Sequence, residues 1–111
     1  MEYTNAEKVI QEFSEYLALL SAENLNNNGN VRTGALLRSI EPLKGLPDNR
    51  IGVKMKDYGI FIENGTKYFS AKPFVKPAMA DVQAQYKQAL EEAVRKDIEA
   101  EIDNIINSNT Q

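Results

Sequence analysis

The stretch Asp57–Ala80, DYGIFIENGTKYFSAKPFVKPAMA, decides how this chain folds. It concentrates Tyr58, Phe61, Ile62, Tyr68, Phe69, Phe74 and Val75, and Tyr86 follows just beyond it. Each aromatic hides about 150–250 Å² when buried, so a short segment this rich in them belongs between elements with apolar faces of their own. We therefore expect it to form the centre of the core, with its loop portion presented to other subunits. Asp57 suits the N-cap of a short helix over 58–64 that Gly65 closes. A strand is the competing reading, because Ile60, Phe61 and Ile62 all favour one. Glu63 reads either as a buried acid paired with Arg38 or a lysine, at a cost in desolvation, or as an exposed side chain. The loop over 65–76 holds Lys67, Tyr68, Phe69 and Lys72. Two adjacent aromatics between cations have the make-up of an interface hot spot, and they equally suit folding back into the core.

Downstream, Pro77 suits the first turn of a long helix over about 77–107. Met79, Val82, Tyr86, Ala89, Leu90, Ala93, Val94, Ile98, Ile102, Ile105 and Ile106 follow in steps of three, four or one, so an apolar stripe is expected along nearly its whole length. Such a helix is on the order of 45 Å long, against a diameter of roughly 26 Å for a compact domain of this size. Its distal part, with Ile98, Ile102 and Ile105, is expected to overhang the core and to want another protein chain. The acids Asp97, Glu101 and Asp103 read most simply as its solvated face.

Upstream, Thr4-Asn5-Ala6-Glu7 has the spacing of a capping box, with Thr4 at the N-cap. Ala6, Val9, Ile10, Phe13, Tyr16, Leu17 and Leu20 then line one face of a helix over about 5–25. Asn26–Asn30 ends it with residues that tolerate the left-handed conformation. Thr33 is a plausible N-cap for a short helix over 33–40 that Pro42 stops, and Arg32 and Arg38 sit near its ends as a basic patch or as ion-pair partners. Residues 40–56 read as a β-hairpin around a Lys44–Asn49 turn, with Ile51, Val53 and Met55 on one face. Gly52 falls on the other face, where it marks a bulge or a close neighbour. The expected fold class is α+β, a single domain over 1–111: long N- and C-terminal helices packed on a small antiparallel sheet, with short helices between.

Composition narrows the chemistry. The chain has 111 residues and neither Cys nor His. Disulfides, thiolate catalysis and the commonest neutral-pH base and metal ligand are therefore excluded. Glycines fall singly, so no phosphate loop is present. No apolar run approaches the roughly 20 residues that span a bilayer, and the acidic N-terminal stretch is not expected to be a secretory signal. No catalytic activity, cofactor or metal is expected. The net charge of −3 conceals an asymmetry: residues 1–31 carry −4, residues 32–76 carry +5 and residues 77–111 carry −4. A chain so divided suits self-association through unlike surfaces, and equally suits separate solvated faces. The acidic ends weigh against tight nucleic-acid binding, which needs a net positive face.

Three segments carry a resemblance: RTGALLRSI at 32–40, YGIFIENGT at 58–66 and KPFVKPA at 72–78. In this order and spacing they resemble the head–tail joining (neck or tail-completion) family of tailed bacteriophages. The resemblance covers nearly the whole chain, and the chain departs from it in the long, acidic tail beyond Ala93. It implies a structural virion protein, a small α+β subunit of a ring in the neck or at the tail end, made in the bacterial host's cytoplasm from a phage or prophage. Homo-oligomerisation, contacts with portal or head-completion and tail-tube proteins, and DNA passing nearby without sequence-specific binding follow from the same resemblance. Thr33, Gly34, Ser39, Tyr58, Glu63, Gly65, Thr66, Pro73, Phe74 and Pro77 would then define the fold. The alternative function is a small cellular protein- or nucleic-acid-binding module working through the loop over 66–72.

Overall fold

The computed structural model describes residues 3–28, 34–67 and 70–109. It is mostly helical. In chain order come α1 (Thr4–Asn27), α2 (Gly34–Ser39), strand β1 (Glu41–Leu43), a 3-10 turn (Pro47–Asn49), strand β2 (Gly52–Lys54), α3 (Gly59–Asn64) and α4 (Val75–Asn109). The small sheet and the long C-terminal helix place the fold broadly in the α+β class.

The frame is the pairing of α1 with α4. Asn5 at the start of α1 meets Asp97, and Asn24 near its end donates to the Phe74 carbonyl, so the two helices run antiparallel. Leu17 of α1 packs with Ile51, Ala78, Val82 and Tyr86, and Val9, Ile10 and Phe13 lie against that group. The ring centroids of Phe13 and Tyr86 are 5.3 Å apart. Small side chains set the seam. Ala6, Ser14, Ala18 and Ser21 are buried on α1, opposite Ala78 and Ala93 on α4. Tyr16, expected on this face, is exposed, because a seam of small residues is narrow and has no room for a phenol one turn from Phe13.

A second cluster closes the end of the pair where α4 begins. Leu25, Leu36 and Phe74 are fully buried, with Leu37, Ile40, Met55 and Ile62 packed around them. The hairpin is shorter than its alternating sequence suggests. Three residues pair on each strand, Glu41 with Lys54, Pro42 with Val53 and Leu43 with Gly52. Pro42 and the Gly45–Asn49 turn limit the ladder, since a proline donates no hydrogen bond and Asp48 and Asn49 both have positive φ. Gly52 marks a close neighbour: a Cβ there would lie 3.0 Å from Leu46 Cδ1. Chiefly α1 supports this sheet, and α4 is reached through Ile51 and Asn49.

The aromatic stretch is split between the inside and the surface. Phe74 is fully buried and Gly59 and Ala78 have no room to spare, yet Tyr58, Ile60 and Phe61 face outward. The segment 59–64 is a helix rather than a strand, begun by Tyr58 with no side-chain cap from Asp57. A single amphipathic turn-and-a-half buries only one side, so half of its large residues are left outside. At the other end, α1 starts at Thr4, one residue earlier than expected, so that Tyr3 rather than Thr4 is the N-cap and its own side chain makes no capping bond. Asn28 closes it in the right-handed region, so the expected left-handed stop is not made there. The Thr33 cap, Arg32, Tyr68 and Phe69 lie outside the described residues.

Candidate functional site

Two carboxylates hold the long helices in place, each by capping a helix it does not belong to. Asp97 Oδ1 accepts the Asn5 main-chain N–H at 3.0 Å and the Asn5 amide at 2.9 Å. Its Oδ2 accepts the Ala6 N–H at 3.0 Å. The first N–H groups of a helix have no partner within it and carry partial positive charge, which is what Asp97 meets. At 4% exposure it is not on a solvated face, contrary to its place in an acidic run. Burial alone would raise its pKa; the hydrogen bonds from Ala6 and Asn5 outweigh that and hold it below the ordinary 3.8.

Glu63 does the same for α4. Its Oε1 accepts the N–H groups of Phe74 and Val75 at 3.0 and 2.8 Å, and its Oε2 accepts that of Lys76 at 3.0 Å. It therefore acts as a helix cap, with three main-chain N–H groups as its partners. With these donors satisfied, α4 starts at Val75, two residues before Pro77, whose missing N–H costs nothing in the first turn. Ser39 ties the same corner together: its hydroxyl donates to the Leu36 carbonyl at 2.6 Å and accepts the Lys56 N–H at 3.1 Å. Gly65, at φ 75°, closes α3, and a Cβ at Gly59 would collide with Met55. The residues of the three quoted segments thus perform main-chain tasks around one joint.

What these caps leave uncovered is the candidate site. Asp97 marks where α1 ends its cover. The remaining twelve residues of α4, 98–109, project about 18 Å further. The molecule spans 70 × 22 × 21 Å with a radius of gyration of 18.5 Å, against about 13 Å for a compact chain near this length. Ile98, Ile102, Ile105 and Ile106 on the projection are 42–53% exposed. At about 100° per residue they sit roughly 80–180° round the helix from Asp97, so they do not prolong the face that meets α1. The apolar stripe expected to be continuous is turned by a quarter turn or more at this point.

The second uncovered surface lies on α3 at the opposite end. Tyr58, Ile60 and Phe61 are 40–59% exposed there, beside Lys56 and Lys72. Lys72 is exposed, its N–H donating to the Ile62 carbonyl and its carbonyl accepting from the Asn28 amide. Lys67 is exposed within the same loop. Of the seven expected interface residues, Ile98, Ile102 and Ile105 thus gather at one end, and Lys67 and Lys72 belong to the other. The α3 side chains were not among the expected interface residues, although three large apolar residues on so short a helix were a sufficient signal.

An open groove of about 520 Å³ runs between the 3-10 turn and α4, lined by Ile51, Met79, Tyr86 and Leu90 among others. The Tyr86 hydroxyl donates to the Asn49 carbonyl at its edge, and burial pushes the phenol above its ordinary pKa. Among the described residues, no group of three or more acidic side chains is placed to hold a metal ion, and no helix is long and apolar enough to cross a membrane. Comparison of the chain with protein-family models, with curated proteins and with solved structures finds no match.

Proposed function

We propose that the chain is a structural subunit of a tailed-phage or prophage virion, a head–tail joining, neck or tail-completion component that assembles as a ring. One observation carries this reading: a three-turn helical projection bearing four exposed isoleucines, which the chain's own fold leaves without cover. Exposed apolar side chains of that kind on an otherwise polar projection are a contact surface for protein. The three sequence segments that resemble the joining family support it, since Ser39, Glu63, Gly65 and Phe74 build the frame rather than a reaction centre. The reading assigns the protein no reaction and no cofactor. Portal or head-completion and tail-tube proteins are its neighbours in the virion. The acids on the outer faces of the long helices, among them Glu12, Glu15, Glu91 and Glu92, line a channel through which DNA slides without being held.

Light scattering over a range of concentrations, with negative-stain imaging of the heaviest fraction, tests this. Closed rings that do not retain duplex DNA are the expected result. A chain that stays monomeric up to millimolar concentration and binds nucleic acid with a steep salt dependence overturns it in favour of a nucleic-acid-binding module.

A further inference from the structure

The two uncovered surfaces lie at opposite ends of one rod and differ in charge. The projection 98–109 carries Glu99, Glu101 and Asp103 and no cation, around Ile98, Ile102, Ile105 and Ile106. The α3 end carries exposed Ile60 and Phe61, and on α3 and its flanking segments exposed Lys56, Lys67, Lys72 and Lys76 outnumber Asp57 and Glu63. Two acidic projections facing each other would bring six carboxylates together, and two α3 ends would oppose lysine to lysine; like charges opposed across an apolar contact are costly. Acid against base, with apolar surface between, is the pairing that both ends accept.

We propose that the α4 projection of one copy seats on the α3 surface of the next, a head-to-tail joint between two unlike surfaces of the same chain. This rests on the ring reading and says how the ring is jointed. A head-to-tail contact repeats through every copy, and it closes into a ring when the rotation between neighbours permits. An isolated joint is small. Twelve helical residues about 18 Å long, on a helix about 10–12 Å across, offer one face of roughly 300 Å², well under the roughly 800 Å² per partner of a stable pair. Single joints are therefore weak, and closure, which gives every copy two joints, provides the stability.

The chain has no cysteine, so introduced thiols report without background. Ile60→Cys and Ile102→Cys are made separately, mixed at high concentration and treated with a short bis-maleimide cross-linker, while unmodified protein is followed by light scattering. Both side chains are exposed, so neither substitution disturbs the fold. The expected result is a covalent dimer in the mixture at least ten times more abundant than in either variant alone. Cross-linking of Ile102→Cys with itself means that projections pair with each other, and overturns the proposal. Absence of the mixed dimer while unmodified protein forms rings overturns the joint and leaves the ring reading standing. A mixed dimer with only open chains keeps the joint and removes the ring. A second pair of variants, Lys56→Glu/Lys72→Glu and Glu99→Lys/Glu101→Lys, is expected to lose assembly singly and to assemble in alternation when combined, since each projection then meets an end of opposite charge on the other variant; failure of the combination to assemble overturns the joint.

Discussion

The Asp97 carboxylate accepts the N–H of Ala6 at 3.0 Å across 91 residues of sequence. The opening turn of α1 is thereby completed by the last helix, and the pairing of α1 with α4 acquires a fixed register. Asp97→Ala should lower Tm by about 4–8 °C, the usual effect of one lost cap in a domain of this size. Amide exchange at Asn5 and Ala6 should speed up together.

The same carboxylate makes stability pH-dependent. Its pKa is depressed in the folded chain, so the unfolded chain takes up a proton first as the pH falls. The stabilisation is present above the unfolded value near 3.8 and is lost as pH drops through the lower folded value. Acid titration of Tm should therefore steepen below about pH 4 in the native chain and be flatter in Asp97→Asn.

Glu63 caps α4 through three N–H groups, and charge-assisted hydrogen bonds to a carboxylate are stronger than neutral ones. Glu63→Ala should cost about 1–2 kcal/mol in denaturant unfolding. Glu63→Gln should cost less, because one carbonyl oxygen remains. In hydrogen exchange, Phe74, Val75 and Lys76 should lose protection ahead of the rest of α4.

Tyr86 offers the alkaline counterpart. Burial raises its pKa above 10.0, so its phenol ionises first in the unfolded chain. Its stabilisation is complete below that pH and is lost as the pH rises through the folded value. Tyr86→Phe should cost about 0.5–1.5 kcal/mol at neutral pH, from the bond to Asn49, and should remove this part of the alkaline slope.

The Ser21 hydroxyl is buried in the α1–α4 seam without a hydrogen-bond partner. Ser21→Ala removes an unsatisfied polar group and improves helix propensity without leaving a large void. A gain of about 1–2 kcal/mol in chemical denaturation is the expected outcome.

Ile102 contributes little within the monomer. Ile102→Glu should leave Tm within about 2 °C of the native value, since surface changes away from contacts seldom exceed about 0.5 kcal/mol. Under the proposed function the same change should abolish assembly, as read by light scattering.

What the sequence made legible was local. The periodicity of Val9, Ile10, Phe13 and Leu17 and the Ile51–Val53 alternation marked helix and strand within a few residues. The Ile98–Ile102–Ile105 run was recognisable as surplus because helix length can be compared with domain size. The caps were not legible. Thr4 and Glu7 had the right spacing, but α1 begins at Thr4 itself, the Glu7 N–H bonds to the Tyr3 carbonyl and the Asn5 and Ala6 N–H groups go to Asp97, and nothing local to either end announces a partner so far away. Glu63 likewise reads as one more acid until the chain after it has turned back. The seam escaped for a different reason. Ala6, Ser14, Ala18 and Ser21 draw no attention in a pattern weighted to large apolar residues, and so Tyr16 was counted inside.

The bond between Asp97 and the start of α1 bears on synthesis as well as stability. A helix in a protein draws most of its stability from the packing of its apolar face, and the sheet and helix partners of α1 all come later in the sequence. While the ribosome is still adding residues before position 97, the nascent N-terminal segment has no anchor for its first turn. Docking of the beginning is therefore set by arrival of the end, and each copy completes its own fold only as its projecting arm emerges.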